Sequence, residues 1–100
     1  MVSRGTLSHP LFDEVLMRKA QIRMKQARYA EADSLLQRVV DFYPTDITAD
    51  DALILQAELN EDHLNNPAKA LECYEKLLLD YPTSLYADRA RKRYNALKAR

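Results

Sequence analysis

The side chains with chemistry to offer in this 100-residue chain are two histidines, one cysteine and a dense set of carboxylates. His63 follows Asp62 and Glu61, a neighbourhood that would suit a proton relay or the start of a metal site. It goes no further: no second ligand stands at metal spacing, and His9 lies far off in the N-terminal lead. Both histidines read as surface residues. Cys73, directly before Tyr74, has no histidine at a nucleophile spacing. As the single cysteine it forms no internal disulfide or cysteine-based metal cluster, and it reads as a small packing residue. The carboxylates Asp51, Glu58, Glu61 and Asp62 fall in one stretch, and such charge runs are usually a solvated face. No glycine-rich phosphate loop is present. These residues point away from an enzyme and from any metal or cofactor, and toward a surface as the working part.

Such a surface needs elements to hold it. Gly5 is the only glycine, so the rest of the chain has little use for tight hairpin turns, and long helices with short connections remain. No apolar run approaches the roughly 20 residues of a membrane span, so no membrane insertion is expected. The opening MVSRGTLSHPLF has no apolar stretch of the kind a signal peptide carries.

Apolar spacing predicts a first helix over Pro10 to Gln26, capped by Ser8 or His9, with Leu11, Val15, Leu16, Ala20 and Met24 on its stripe. A break at Ala27–Tyr29 precedes a second helix, Ala30 to Phe42, which Pro44 ends. The third, Thr48 to Leu64, holds ALIL at 52–55 and is predicted to be packed on more than one side. Asn66-Pro67 starts a fourth helix that runs to Asp80 before Pro82, and a fifth spans Ser84 to Ala99.

The chain also repeats itself. YPTDITADDA at 43–52 returns as YPTSLYADRA at 81–90, identical at six of ten positions. Ala32, Leu36, Val39 and Pro44 return as Ala70, Tyr74, Leu77 and Pro82, every step 38 residues. A helical hairpin with amphipathic faces cannot bury them alone, so copies stack.

These residues resemble a tetratricopeptide repeat array, whose second helix carries a small residue, two large apolar ones and a closing proline at the spacing seen in both copies. Leu16, Ala20, Ala27 and Tyr29 fall where that family places first-helix and turn positions. The family's usual period is about 34 residues. The excess in this chain is close to one helical turn, which predicts a longer first helix in the second repeat. The family's first-helix aromatic and glycine are missing, Ile54 and Glu58 standing there in repeat two. The resemblance implies an all-α, right-handed α–α superhelix. Its parts are a lead at 1–9, repeats at 10–46 and 47–83, and a capping helix at 84–100. The phrasing of the linkers is similar to that of bacterial envelope members. It points to the cell envelope or periplasm for a longer chain with a signal peptide, and to the cytoplasm otherwise. Two repeats are thin for independent stability, so the chain reads as the C-terminal end of a longer array or as a homodimer.

The charges are segregated. Residues 1–30 carry 6 basic and 2 acidic residues, 31–62 carry 1 and 9, and 86–100 carry 6 and 1. In a stack of this kind the first, third and fifth helices line one concave face. Arg18, Arg23 and Lys25 on one flank and Arg89 and Arg93 on the other are then expected to face Asp51, Glu58, Glu61 and Asp62. Counting back from the signature alanines, the groove positions are Met17, Gln21 and Met24, then Leu55, Leu59 and Asp62, with Arg89 and Arg93 beyond. Met17 and Met24 serve equally well as core filler. The groove lacks the lysine and asparagine set with which the family's best-known groove grips a peptide carboxylate. The expected function is a non-catalytic scaffold that offers this groove to a peptide or helix of a partner protein, or a structural segment that stacks or dimerises. Nucleic-acid binding through RARKRY at 89–94 is a remote alternative in a chain of zero net charge.

Overall fold

The computed structural model describes residues 10–42 and 48–99, with side chains from residue 14 onward, and it is built of five helices. They are α1 (Pro10–Lys25), α2 (Tyr29–Phe42), α3 (Thr48–Asp62), α4 (Pro67–Asp80) and α5 (Ala87–Lys98). No strand occurs among the described residues. Tyr43 and Pro44, expected to end α2, lie outside them, as do the lead, its candidate caps and the side chain of Leu11. Four helices fall within two residues of expectation, whereas α5 starts three residues later than Ser84. The Ser84 hydroxyl takes the Tyr86 N–H at 3.1 Å and donates to Asp50 at 2.6 Å, so this segment spends its groups on a turn.

Each helix packs on the next in chain order, and α1 also reaches α3. The molecule measures 51 × 31 × 18 Å, its thinnest dimension matching two layers of helices about 8–10 Å apart. The core runs through the seams. Ala32, Leu36 and Val39 of α2 and Ala70, Tyr74 and Leu77 of α4 are all fully buried, so the residues that spell out the repeat are the ones that pack. Burying one large aliphatic side chain contributes about 1.5–3 kcal/mol. In the ALIL run of α3, Ala52, Leu53 and Ile54 are buried and Leu55 is half-buried, as expected of a helix covered on more than one side.

The turns set the register. At the end of α1, Arg28 N–H reaches the Arg23 carbonyl at 2.7 Å and Ala27 N–H that of Met24 at 3.0 Å, with Ala27 at φ 60°. This is the left-handed helix stop that glycine ordinarily fills. The turn after α3 is one residue longer. Asn65 takes φ 52°, Asn66 N–H reaches the Asn60 carbonyl at 2.8 Å, and the Asn66 side chain caps α4 through Lys69 N–H. Second helices therefore align at a spacing of 38, but first helices at 37: buried Leu16, Met17 and Ala20 superpose on buried Leu53, Ile54 and Ala57. The expected longer first helix is not there, since α3 has 15 residues and α1 has 16. The residue that separates the two registers sits in the turn.

Ala27→Gly should raise unfolding stability by about 0.5–1 kcal/mol in urea titration, because relief of the left-handed alanine exceeds the entropy glycine adds to the unfolded chain. Asn65→Ala should lower it by about 1 kcal/mol, since asparagine tolerates that conformation and alanine does not.

Candidate partner-binding surface

The expected groove positions lie on α1, α3 and α5. Gln21, Met24 and Leu55 come together there with Arg18, Ile22 and Lys25 around an open groove of about 440 Å³ between α1 and α3. Met24 and Leu55 are half-buried and rest on the core, which gives the groove an apolar floor. Asp62 is exposed on the last turn of α3, Arg89 is exposed and Arg93 half-buried on α5. Two expected groove residues are core residues instead. Leu59 is 1% exposed and Met17 is 8% exposed. The 38-residue spacing of the second helices does not hold for the first, and one position is about 100° of helix rotation. The turn that adds a residue thus swings Leu59 inward and leaves Glu58 half-buried opposite Arg89.

Opposite charges meet on one flank only. Arg89 pairs with Glu58 at 2.9 Å, and Arg93 grips Glu61 through both Nε, at 3.3 Å, and Nη2. Glu61 is the more enclosed partner, its side chain 10% exposed, and it also accepts from the Tyr74 hydroxyl at 2.9 Å. One carboxylate therefore ties α3, α4 and α5. Burial, then the Glu61 carboxylate it bonds, pushes the Tyr74 hydroxyl well above the ordinary phenol range. Asp51 accepts from the Tyr86 hydroxyl, which raises that phenol too. The basic flank of α1 behaves differently from expectation. Arg23 turns back to Glu31 at 3.1 Å, a carboxylate it shares with Arg28 at 3.0 Å. Arg18 and Lys25 make no ion pair among the described residues.

On α5, Arg91 pairs with Asp88 at 3.0 Å, and the Lys98 ammonium lies 5.3 Å over the Tyr94 ring. With Arg89 and Arg93 also committed to carboxylates, little of RARKRY is left for phosphates. His63 stacks on Tyr29 with ring centroids 4.1 Å apart and closes the end of the first hairpin. Cys73 is buried, and burial pushes its thiol up to about 12, so it stays protonated. Among the described residues no group of three or more His, Cys, Asp or Glu side chains could hold a metal ion.

Sequence reading missed a polar row between the helices. Gln56 and Asn60 of α3 are 1% exposed. Gln56 donates to Gln37 at 2.8 Å, Asn60 donates to Asp33 at 2.9 Å, and Lys69 of α4 reaches the other Asp33 oxygen at 2.6 Å. The available signal was two amides four residues apart on a helix otherwise apolar on that side.

Burial, then repulsion from Asp62 and Glu61, raises the Glu58 carboxyl against the opposing pull of Arg89. Its folded pKa lies above the unfolded one, so its contribution is present at low pH and lost as pH rises through the folded value. Glu58→Gln should therefore leave the melting temperature at pH 7 unchanged or higher. Between neutral pH and the carboxylate range, wild type should gain stability relative to the variant as pH falls, read from paired melts. Cys73 should resist alkylation at pH 8 in the folded protein and react at once in denaturant, which a timed mass measurement checks.

No helix among the described residues is long and apolar enough to cross a membrane. No curated protein and no solved structure significantly matches the chain. The family model of the tetratricopeptide repeat matches twice, at residues 14–46 and 51–84. These stretches hold the two helical hairpins, and their starts differ by the register of the first helices. Repeats of this family mediate protein–protein interaction, typically as non-catalytic scaffolds. Two consecutive matches over more than half of its length, on stacked hairpins whose repeated residues form the core, make this chain a member of the tetratricopeptide repeat family.

Proposed function

We propose that the chain is a non-catalytic interaction scaffold whose α1–α3 groove receives a peptide or helix of a partner protein. The observation that carries this reading is the groove itself. Met24 and Leu55 form a half-buried apolar floor, and Arg18 and Lys25 stand beside it without an ion pair among the described residues. The other half of the concave face is committed: Glu58 and Glu61 are held by Arg89 and Arg93, so α3 and α5 brace each other. A partner that enters between α1 and α3 meets a preformed surface, and binding to a rigid array loses little to ordering. Nucleic acid is disfavoured because the arginines of α5 already face carboxylates.

Peptides selected from a random display library on the immobilised protein should lose at least about tenfold in affinity, about 1.4 kcal/mol, on Leu55→Lys. Helicity and solution mass should stay unchanged, because Leu55 is not fully enclosed. Equal binding to both proteins would remove the groove from the account. Conversion of a dimer to a monomer by the same substitution would show that the face serves self-association.

A further inference from the structure

The two seams between successive units use the same three positions. At the α2–α3 seam, Ala52 and Leu59 are buried and Gln56 donates to Gln37 at 2.8 Å. At the α4–α5 seam, Ala90 and Leu97 are buried and the Tyr94 hydroxyl reaches Glu75 at 3.4 Å. Both side-chain contacts span 19 positions, so they are one contact made twice. Carried back by the 37-residue register of the first helices, the three positions on α1 are Val15, Lys19 and Ile22. None of them is covered. Val15 is 44% and Ile22 49% exposed, and Lys19 is exposed with no ion pair among the described residues.

Charge says what would fit there. In both seams the covering helix offers an oxygen acceptor to the middle position, and on α1 that position is a cation. Arg23, one turn on, stands where α3 has Asn60, whose partner is the Asp33 carboxylate, but Arg23 already has its carboxylate in Glu31 at 3.1 Å. The complement of α1 is therefore a helix with an apolar ridge and a carboxylate at the height of Lys19, the height that position 37 has against Gln56. A second copy of α1 is a poor occupant. Antiparallel pairing through Val15 and Ile22 would set Arg18 and Lys19 against the same cations. Residues 1–9 contain Arg4 and no acidic residue, so they do not supply the carboxylate.

We propose that Val15, Lys19 and Ile22 form a docking face for an acidic amphipathic helix of another protein, seated on α1 as α2 sits on α3. The proposal shares with the groove reading the premise of a protein partner, and the two surfaces adjoin at Ile22, which also lines the groove, whereas Val15 and Lys19 stand outside it. The test uses a fluorescent peptide of residues 29–42 carrying Gln37→Glu, held helical by a staple on its outer side. It should bind the intact chain in an anisotropy titration. Val15→Glu and Lys19→Glu should each weaken it about tenfold or more with helicity unchanged. A peptide carrying Gln37→Lys should regain affinity for Lys19→Glu, and Leu55→Lys should have no effect. The face is not a docking site for such a helix if the peptide fails to bind, or binds Val15→Glu as well as wild type. Loss in Leu55→Lys alone would move the peptide to the groove and overturn this proposal while keeping the other. A wild-type dimer that Val15→Glu splits would give the face to a second copy and overturn it as well.

Discussion

Gln56 and Asn60 are each 1% exposed on α3, and a buried amide left without partners costs about 1–3 kcal/mol. Helix α3 can be covered on both sides only where its neighbours supply oxygen acceptors at the matching height. Gln37 and Asp33 do so from α2, and the Gln56 carbonyl takes a second bond from Asn60 at 2.8 Å. The remaining Asp33 oxygen binds Lys69 of α4. One polar row thereby fixes the height of three helices. The apolar contacts are less specific about height: Ala52, Leu53 and Ile54 point to several sides of α3 and carry no directional bond. A slip would leave both amides unpaired, so the row sets position while the hydrophobic seams supply most of the stabilisation.

The same row explains which parts of the molecule were legible beforehand. Helix ends were readable because Asn66-Pro67 and Tyr81-Pro82 act locally, through a cap, a missing N–H and a restricted backbone. The second helices were readable because Ala32, Leu36 and Val39 recur in register as Ala70, Tyr74 and Leu77, all buried. The first helices were harder, for their repeated pair, Leu16 and Ala20 against Leu53 and Ala57, recurs at 37 residues, and counting from the second helices through a turn imposes 38. Asn65 adds its residue in that turn, and one residue of error rotates a helix enough to exchange a groove wall for a core. Leu59 was lost to the groove in this way. Gln56 and Asn60 escaped notice for another reason: an amide on a helix looks solvated until the acceptor that buries it is known, and those acceptors lie 19 and 27 positions away.

The two flanks of α3 differ, and their chemistry follows from where the carboxylates are spent. Glu58 and Glu61 are turned to α5, and the Tyr74 hydroxyl joins the second of them, so this flank is cross-linked by hydrogen bonds and ion pairs. The more exposed Glu58–Arg89 pair contributes only about 0–1 kcal/mol, but with the enclosed Glu61 it holds two helices at a set distance. Glu31 draws Arg23 away on the other flank, and what remains between α1 and α3 is an apolar floor edged by Arg18 and Lys25, which make no ion pair among the described residues. A neutral protein can thus offer a locally basic groove, because its acidic residues are concentrated on α3 and mostly turned elsewhere.

The outward faces of the two outermost helices differ in the same spirit. On α5 the exposed positions are Asp88, Arg91, Lys92 and Asn95, charged or polar side chains that water solvates without cost. On α1 the exposed positions include Val15 and Ile22 at the heights where α3 and α5 bury their own apolar residues. A polar face needs nothing against it, whereas two aliphatic side chains framed by cations gain from a partner that brings both an apolar ridge and carboxylates. The repeat makes that difference informative. Identical positions, twice covered and once bare, separate a face that solvent suits from one whose geometry is already that of a seam.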